Sequence, residues 1–164
     1  RPDNTCEQGT IRGTFDNTKS PASLEIFFDQ FANNNPKNSV CKSDTPKDAY
    51  YYFDRGEGGA GNFVFSVDMN VHGDADKKPG LETVSIRSRW LADGKGRSDV
   101  RVEGGEVKTD LEALSASTNF LSVSQCWNTS FVTSYETAEP ALLGLFVTNG
   151  DATTCAFASA DLPE

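Results

Sequence analysis

The sequence predicts a mainly β fold, a single-domain antiparallel β-sandwich of jelly-roll type with one or two short helices and two disulfides. Three observations carry that expectation. Many short apolar segments alternate with polar residues and are separated by Gly, Asn and Pro, a pattern that fits stacked or closed antiparallel sheets better than alternating β and α units. Four cysteines lie far apart in the chain, as in exported domains stapled by disulfides. The length of 164 residues suits one domain, and neither an internal repeat nor a low-complexity tract divides residues 1–164.

Taken in order, residues 10–15 alternate around Ile11 and read as an opening strand. Residues 20–31 read as a helix: Ser20 can cap, Pro21 suits the first helical position, and Leu24, Phe27, Phe28 and Phe31 form an i, i+3, i+4, i+7 stripe. A strand through Leu24, Ile26 and Phe28 is the competing reading of the same residues. Asn33-Asn34-Asn35-Pro36 ends the element in either case.

Tyr50-Tyr51-Tyr52-Phe53 favours a strand, and the glycine-rich residues 56–61 turn the chain. In residues 62–72, Phe63, Phe65, Val67, Met69 and Val71 alternate with Val64, Ser66, Asp68, Asn70 and His72, the mark of a half-buried strand. Residues 81–91 and 98–103 form a hairpin about the turn Asp93-Gly94-Lys95-Gly96-Arg97. Residues 106–118 stay ambiguous, because Val107, Leu111 and Leu114 have helical spacing but weak caps. Further strands are expected over residues 120–127 and 131–135. Residues 142–147, Asn149-Gly150 and Cys155-Ala156-Phe157 suggest a closing hairpin.

Cys6, Cys41, Cys126 and Cys155 include no C-x-x-C pair of the kind that marks zinc or redox centres. Three pairings are open to four cysteines, and sequence alone does not select one. The favoured pairing, Cys6–Cys41 with Cys126–Cys155, closes one loop within each end of the chain. Each bridge would contribute on the order of 4 kcal/mol by the chain-entropy account.

The net charge of −9 repels phosphate backbones and anionic headgroups, which argues against nucleic-acid and membrane-surface partners. No apolar run reaches the roughly 20 residues that a transmembrane helix needs, and Arg1-Pro2-Asp3-Asn4 carries no apolar signal region, as expected of a mature exported chain.

Arg89-Trp90-Leu91-Ala92-Asp93-Gly94-Lys95-Gly96-Arg97-Ser98-Asp99, Gly104-Gly105, Ser124-Gln125-Cys126-Trp127-Asn128 with Phe131 and Tyr135, and the run Gly150 to Phe157 form a distinctive series. In these segments, which cover roughly the second half of the chain, the sequence resembles exported lipoproteins of myxobacteria and their relatives. The resemblance implies an exported, surface-associated protein, supports the Cys126–Cys155 pairing and carries no enzymatic activity. The chain departs from the lipoprotein pattern in having no cysteine at its start to take a lipid.

Candidate chemistry is sparse. The sole histidine, His72, has no G-x-S-x-G elbow to serve, so no catalytic residue is assigned. Asp68, Asn70, Asp74, Asp76 and Glu82 offer the hard oxygens that calcium prefers, although Pro79 stands where an EF-hand requires a bidentate glutamate. Calcium is thus the one cofactor these residues would suit. Tyr50, Tyr52 and Trp90 are candidates for a flat ligand platform, with core packing as the alternative use of the same rings.

Together these features lead us to expect a non-catalytic extracellular or cell-surface protein that binds a protein partner or itself, with strand addition at a sheet edge as the mode and residues 1–5 as a candidate donor strand. The alternative is a carbohydrate-binding or carbohydrate-active module on a jelly-roll frame.

Overall fold

Residues 7–18, 22–33, 47–69, 82–141, 148–159 and 162 are described by the computed structural model. They form one antiparallel meander in which each strand pairs with its sequence neighbour. The strands are β1 (Glu7–Asp16), β2 (Ser23–Asn33), β3 (Lys47–Arg55), β4 (Gly61–Met69), β5 (Glu82–Trp90), β6 (Gly96–Gly104), β7 (Phe120–Trp127), β8 (Thr133–Glu139) and the two-residue β9 (Asn149–Gly150). The expected mainly β, antiparallel character holds. The described residues make a single sheet and no second layer of strands, so the sandwich is not reached within them.

The register explains why this sheet stays open. Arg55 pairs with Gly61, Gly61 with Trp90, Trp90 with Gly96 and Gly96 with Trp127, so five strands start or end in one straight row. Closing a sheet into a barrel requires a cumulative stagger between strands, and the three register shifts, in the β1–β2, β2–β3 and β7–β8 pairs, supply little. β1 and β9 therefore stand as the two edges.

Three connections at that row share one construction. In the turns 56–60, 91–95 and 128–132, the first residue's N–H donates to the fifth residue's carbonyl, at 2.7, 2.8 and 3.0 Å. The fourth residue, Gly59, Gly94 or Phe131, has φ of 94°, 90° and 58°. Trp90 lies against Gly61 and sends its indole N–H to the Gly59 carbonyl at 2.9 Å. Trp127 repeats the arrangement on Gly96 and the Gly94 carbonyl at 2.8 Å. At both positions a Cβ on the glycine would collide with the indole, so glycine here is the space into which a cross-strand tryptophan packs. The hairpin is a structural repeat that residue identities do not reveal, since glycine gives way to Phe131 and Thr133 in the third copy.

Residues 20 and 21 of the expected helix lie outside the described residues, and its residues 23–31 are a strand instead. Its Leu24, Ile26 and Phe28 share one face, and Phe27 points to the other beside Tyr50, with ring centroids 4.9 Å apart. Pairing on both sides, to β1 and β3, satisfies the backbone that a helix would have satisfied internally, and tertiary context overrides the periodicity. The ambiguous residues 106–118 resolve into α1 (Gly105–Ala113), which buries Val107 and Leu111 and leaves Leu114 exposed at its end. Gly104 and Gly105, at φ of 84° and 46°, turn the chain out of β6. The Glu82 carboxylate then accepts the Glu106 N–H at 2.8 Å, placing an acidic group where a helix N-terminus favours one.

The closing segment also differs from expectation. β9 pairs only with Tyr135 and Glu136 of β8, a single 3-10 turn follows at Ala152–Thr154, and Cys155 to Phe157 is not a strand. The Asp151 side chain caps that turn through the Thr153 N–H at 2.8 Å, a bond that holds its carboxyl below the usual range. Residues 142–147 lie outside the described residues.

The Cys126–Cys155 disulfide is present. Cys6 and Cys41 lie outside the described residues, so one of the two expected bridges is established. It ties the C-terminal segment onto β7, and Phe157 lies under the Arg89 guanidinium, 4.9 Å from its ring centroid, while Arg89 donates to the Ala158 carbonyl. The C-terminal segment thereby straps β5, β7 and β8 together. Replacing both cysteines by serine should lower unfolding stability by about 3–4 kcal/mol, the loop-closure value for a separation of this order. Denaturant titration would measure the loss, and limited proteolysis should then cut within residues 151–159 before the sheet opens.

Candidate interaction surface

Side chains alternate across a pleated sheet, and the register sorts them into two sharply different faces. The first carries Ile11 and Phe15 from β1, Leu24, Ile26 and Phe28 from β2, and Tyr51 and Phe53 from β3. Phe63, Phe65 and Val67 of β4 continue it to Val84 and Ile86, Val100 and Val102, Leu121 and Val123, and Ala138. The second carries Glu25, Tyr50, Tyr52, Asp54, Asn62, Ser66, Asp68, Ser85, Arg87, Arg89, Arg97, Asp99, Arg101, Glu103 and Ser124 on the same strands.

At the middle strands water exclusion runs against polarity. On the polar face Ser85, Asp99 and Arg97 are only 1%, 4% and 6% exposed, and Ser66 is buried too. On the apolar face the side chains from Leu24 to Ala138 are half-buried, while Ile11 and Phe15 stand 55% and 65% exposed at the β1 edge.

The polar face closes over itself because its long side chains lie down on their neighbours. Arg97 places Nε 2.9 and 3.0 Å from the two Asp99 carboxylate oxygens, and Ser124 donates its hydroxyl to the same carboxylate at 2.7 Å. Arg101 pairs with Glu103 at 2.6 Å and covers the Phe120 ring, 4.2 Å from its centroid. Arg87 donates to Asn62 at 3.3 Å, and Asn62 donates to Asp54 at 3.4 Å. Ser66 and Ser85 share a hydrogen bond of 3.3 Å across β4 and β5. Burial lowers the Arg89 pKa, with the Arg87 charge beside it as the next cause; the Phe157 ring and the Ala158 carbonyl are its partners. A buried charge persists only when paired and hydrogen-bonded, and this network meets that condition for Arg97 and Asp99. Its role is to hold the sheet.

The candidate residues from the sequence fall on both faces. Tyr50 and Tyr52 stand on the polar face, and Trp90 stands on the apolar face among Phe53 and Gly61. The three rings therefore do not form one platform. Tyr50 donates to Glu25 at 3.0 Å, and its pKa is pushed up to about 12 by burial first and by that carboxylate second. Tyr52 is raised by the same kinds of cause, with Asp54 as its acceptor.

Of the calcium candidates, Asp68 lies on the polar face and accepts the Thr83 hydroxyl at 2.9 Å, whereas Glu82 lies on the opposite face beneath α1. Those two carboxylates do not converge on one ion. Asn70, Asp74 and Asp76, with His72, lie outside the described residues.

Sequence reasoning placed Phe131 in a strand over residues 131–135 and in the lipoprotein-like series, whereas it lies in the turn before β8. Its φ of 58° is a conformation that bulky side chains rarely adopt, its ring lies 3.5 Å from where a Gly94 Cβ would be, and it is 76% exposed. Val132, 59% exposed, and Leu91, 39% exposed, occupy the same turns. Apolar groups thus crown the tryptophan end of the sheet. The apolar face also holds a depression of about 200 Å³ lined by Val100, Val102, Leu121, Val123, Ala138 and Pro140, walled by aliphatic groups where β3 and β4 carry rings.

Two outcomes follow. Replacing Phe131 by glycine, the residue used in the sibling turns, should raise unfolding stability by about 1 kcal/mol, the cost of a left-handed side-chain-bearing residue; thermal or denaturant unfolding reads it. Because the folded state raises the Tyr50 pKa above its unfolded value near 10, the corresponding stability is fully present below pH 10 and drains away as pH climbs toward 12. Glu25→Gln should lower the pH at which Tyr50 ionises, seen by ultraviolet tyrosinate absorbance against a Tyr50→Phe reference.

Comparison of the chain with protein-family models, with curated proteins and with solved structures returned no match.

Proposed function

We propose that this chain is an exported, non-catalytic protein that works by associating with protein surfaces at the exterior of the cell, as a binding or assembly subunit. The observation that supports the reading is the apolar face spanning eight strands, half-buried from β2 to β8 and ending in the ten-residue edge strand β1 with Ile11 and Phe15 exposed. Apolar patches of this extent mark interaction sites in folded proteins, and a long edge strand offers main-chain groups for strand addition. Export is supported by the Cys126–Cys155 disulfide, since such bonds persist in oxidising compartments. The resemblance of the Trp90 to Asp99 and Cys126 to Asn128 segments to exported myxobacterial lipoproteins points the same way. No helix among the described residues is long and apolar enough to cross a membrane.

Sedimentation velocity across micromolar concentrations tests the association. The expected result is a mass above that of one chain that rises with concentration. A single-chain mass throughout, together with no recovery of a protein partner from the exterior of the producing cell, would remove the proposal.

A further inference from the structure

We propose that the apolar face is the dimer interface of the protein, covered by the same face of a second copy turned about a two-fold axis that runs along the strands between β4 and β5. This names the partner for the association proposed above and rests on that reading.

Three observations favour a second copy as the occupant. The first is the amount of surface left over. On the apolar face the side chains from Leu24 to Ala138 are only half-buried, and Ile11 and Phe15 stand 55% and 65% exposed. Among the described residues the buried hydrophobic side chains are Val107, Leu111 and Cys126, none of them at the centre of the apolar face.

The second is area. Eight strands spaced about 4.8 Å apart span about 38 Å. Three rows of outward side chains, from Phe63 through Phe65 to Val67, add about 20 Å in the other direction. One copy then contributes about 750 Å², and the pair buries about 1,500 Å², the standard size of a specific interface.

The third is shape. In the three rows from Phe63 to Val67 the face is bulky on β1 to β4, where Phe15, Phe28, Tyr51, Phe53, Phe63 and Phe65 stand, and free of aromatic rings on β5 to β8; Trp90 and Trp127 stand in the next row, beside Gly61 and Gly96. The proposed axis exchanges these halves: β3 lies over β6 and β2 over β7 of the other copy. Tyr51 then meets Val100, Ile26 meets Val123 and Phe28 meets Leu121. The depression between β6 and β8 thereby receives the rings of β2 and β3. Large side chains opposite small ones allow two inner faces to interdigitate about 10 Å apart. The rim supplies polar groups, with Ser88, Ser98, Gln125 and Glu136 in one outer row, as interfaces require. Two identical sheets packed in this way complete a β-sandwich from two chains.

The experiment uses the whole oxidised chain. Tyr51→Cys and Val100→Cys are made in separate chains, mixed and allowed to oxidise, with circular dichroism confirming the sheet. Within one chain β3 and β6 are three strands apart, far beyond the reach of a disulfide. The expected product is the mixed 51–100 disulfide in several-fold excess over either homodisulfide. Val123→Glu should at the same time reduce the sedimenting mass to one chain.

Assembly that survives Val123→Glu and gives no 51–100 bridge would overturn the face-to-face pairing while leaving the association reading intact, as for strand addition at β1. Single-chain mass for the unsubstituted protein would overturn the pairing outright. So would flotation of single chains with neutral phosphatidylcholine vesicles, which would make acyl chains the occupant of the face.

Discussion

Everything in this structure turns on one constraint: a single β-sheet has two faces, and this chain spends its internal covering on the polar one. Arg97, Asp99 and Ser124 close over the middle strands, Arg89 is clamped by Phe157 and Ala158, and the Cys126–Cys155 bond holds the clamp in place. Breaking such a network by removing one partner leaves a buried charge, an expensive outcome, so these arginines and carboxylates fix the sheet's form rather than await a ligand. Among the described residues the apolar face is covered only at its Glu82 end, where α1 lies. Hydrophobic burial is the main favourable contribution to folding and to association alike, and a face of this size gains most of it only in contact with another apolar surface.

The repeated turns explain why the sheet does not solve the problem by closing. Each five-residue connection brings the chain back in the same row, and each tryptophan locks onto the glycine and the turn carbonyl beside it. That geometry gives straight registers and little stagger, hence a broad rectangle with edges rather than a barrel with an interior. The third turn substitutes Phe131 for glycine and holds it at positive φ with its ring exposed. Backbone strain of this sort persists where the surroundings over-determine it and is concentrated at working surfaces, and Phe131 with Val132 and Leu91 crowns the same end as the two tryptophans.

Much of the strand content was legible in the residues themselves. The alternation Phe63, Phe65, Val67, Met69 marks β4, and the turn around Gly94 marks the β5–β6 hairpin, because a half-buried strand and a tight turn are local events. The residues of β2 were misleading for a physical reason: Leu24, Phe27, Phe28 and Phe31 satisfy helical spacing, and only the pairing with β1 and β3 decides otherwise. The sandwich was inferred from the composition of the strands, which does not say whether the second layer belongs to the same chain. The Cys126–Cys155 bond was anticipated from loop closure and from the lipoprotein-like segments. The ring platform does not assemble, and Asp68 and Glu82 of the acidic set stand apart, because one step along a strand changes the face: Tyr50 and Trp90 are separated in this way, and so are Asp68 and Glu82. The burial of Arg97 and Asp99 had no signal in the sequence, since it depends on the partners that the register brings together, Ser124 on β7 among them.

The most direct measurement is hydroxyl-radical footprinting of adjacent tyrosines, read by mass spectrometry in dilute and in concentrated solution. Tyr51 reports the apolar face, and Tyr50, one residue away on the polar face, is its internal reference. The account predicts that Tyr51 is oxidised readily when dilute and becomes protected as concentration rises, while Tyr50 reacts equally in both. Protection of Tyr51 at every concentration would contradict it, because the face would then be covered by its own chain.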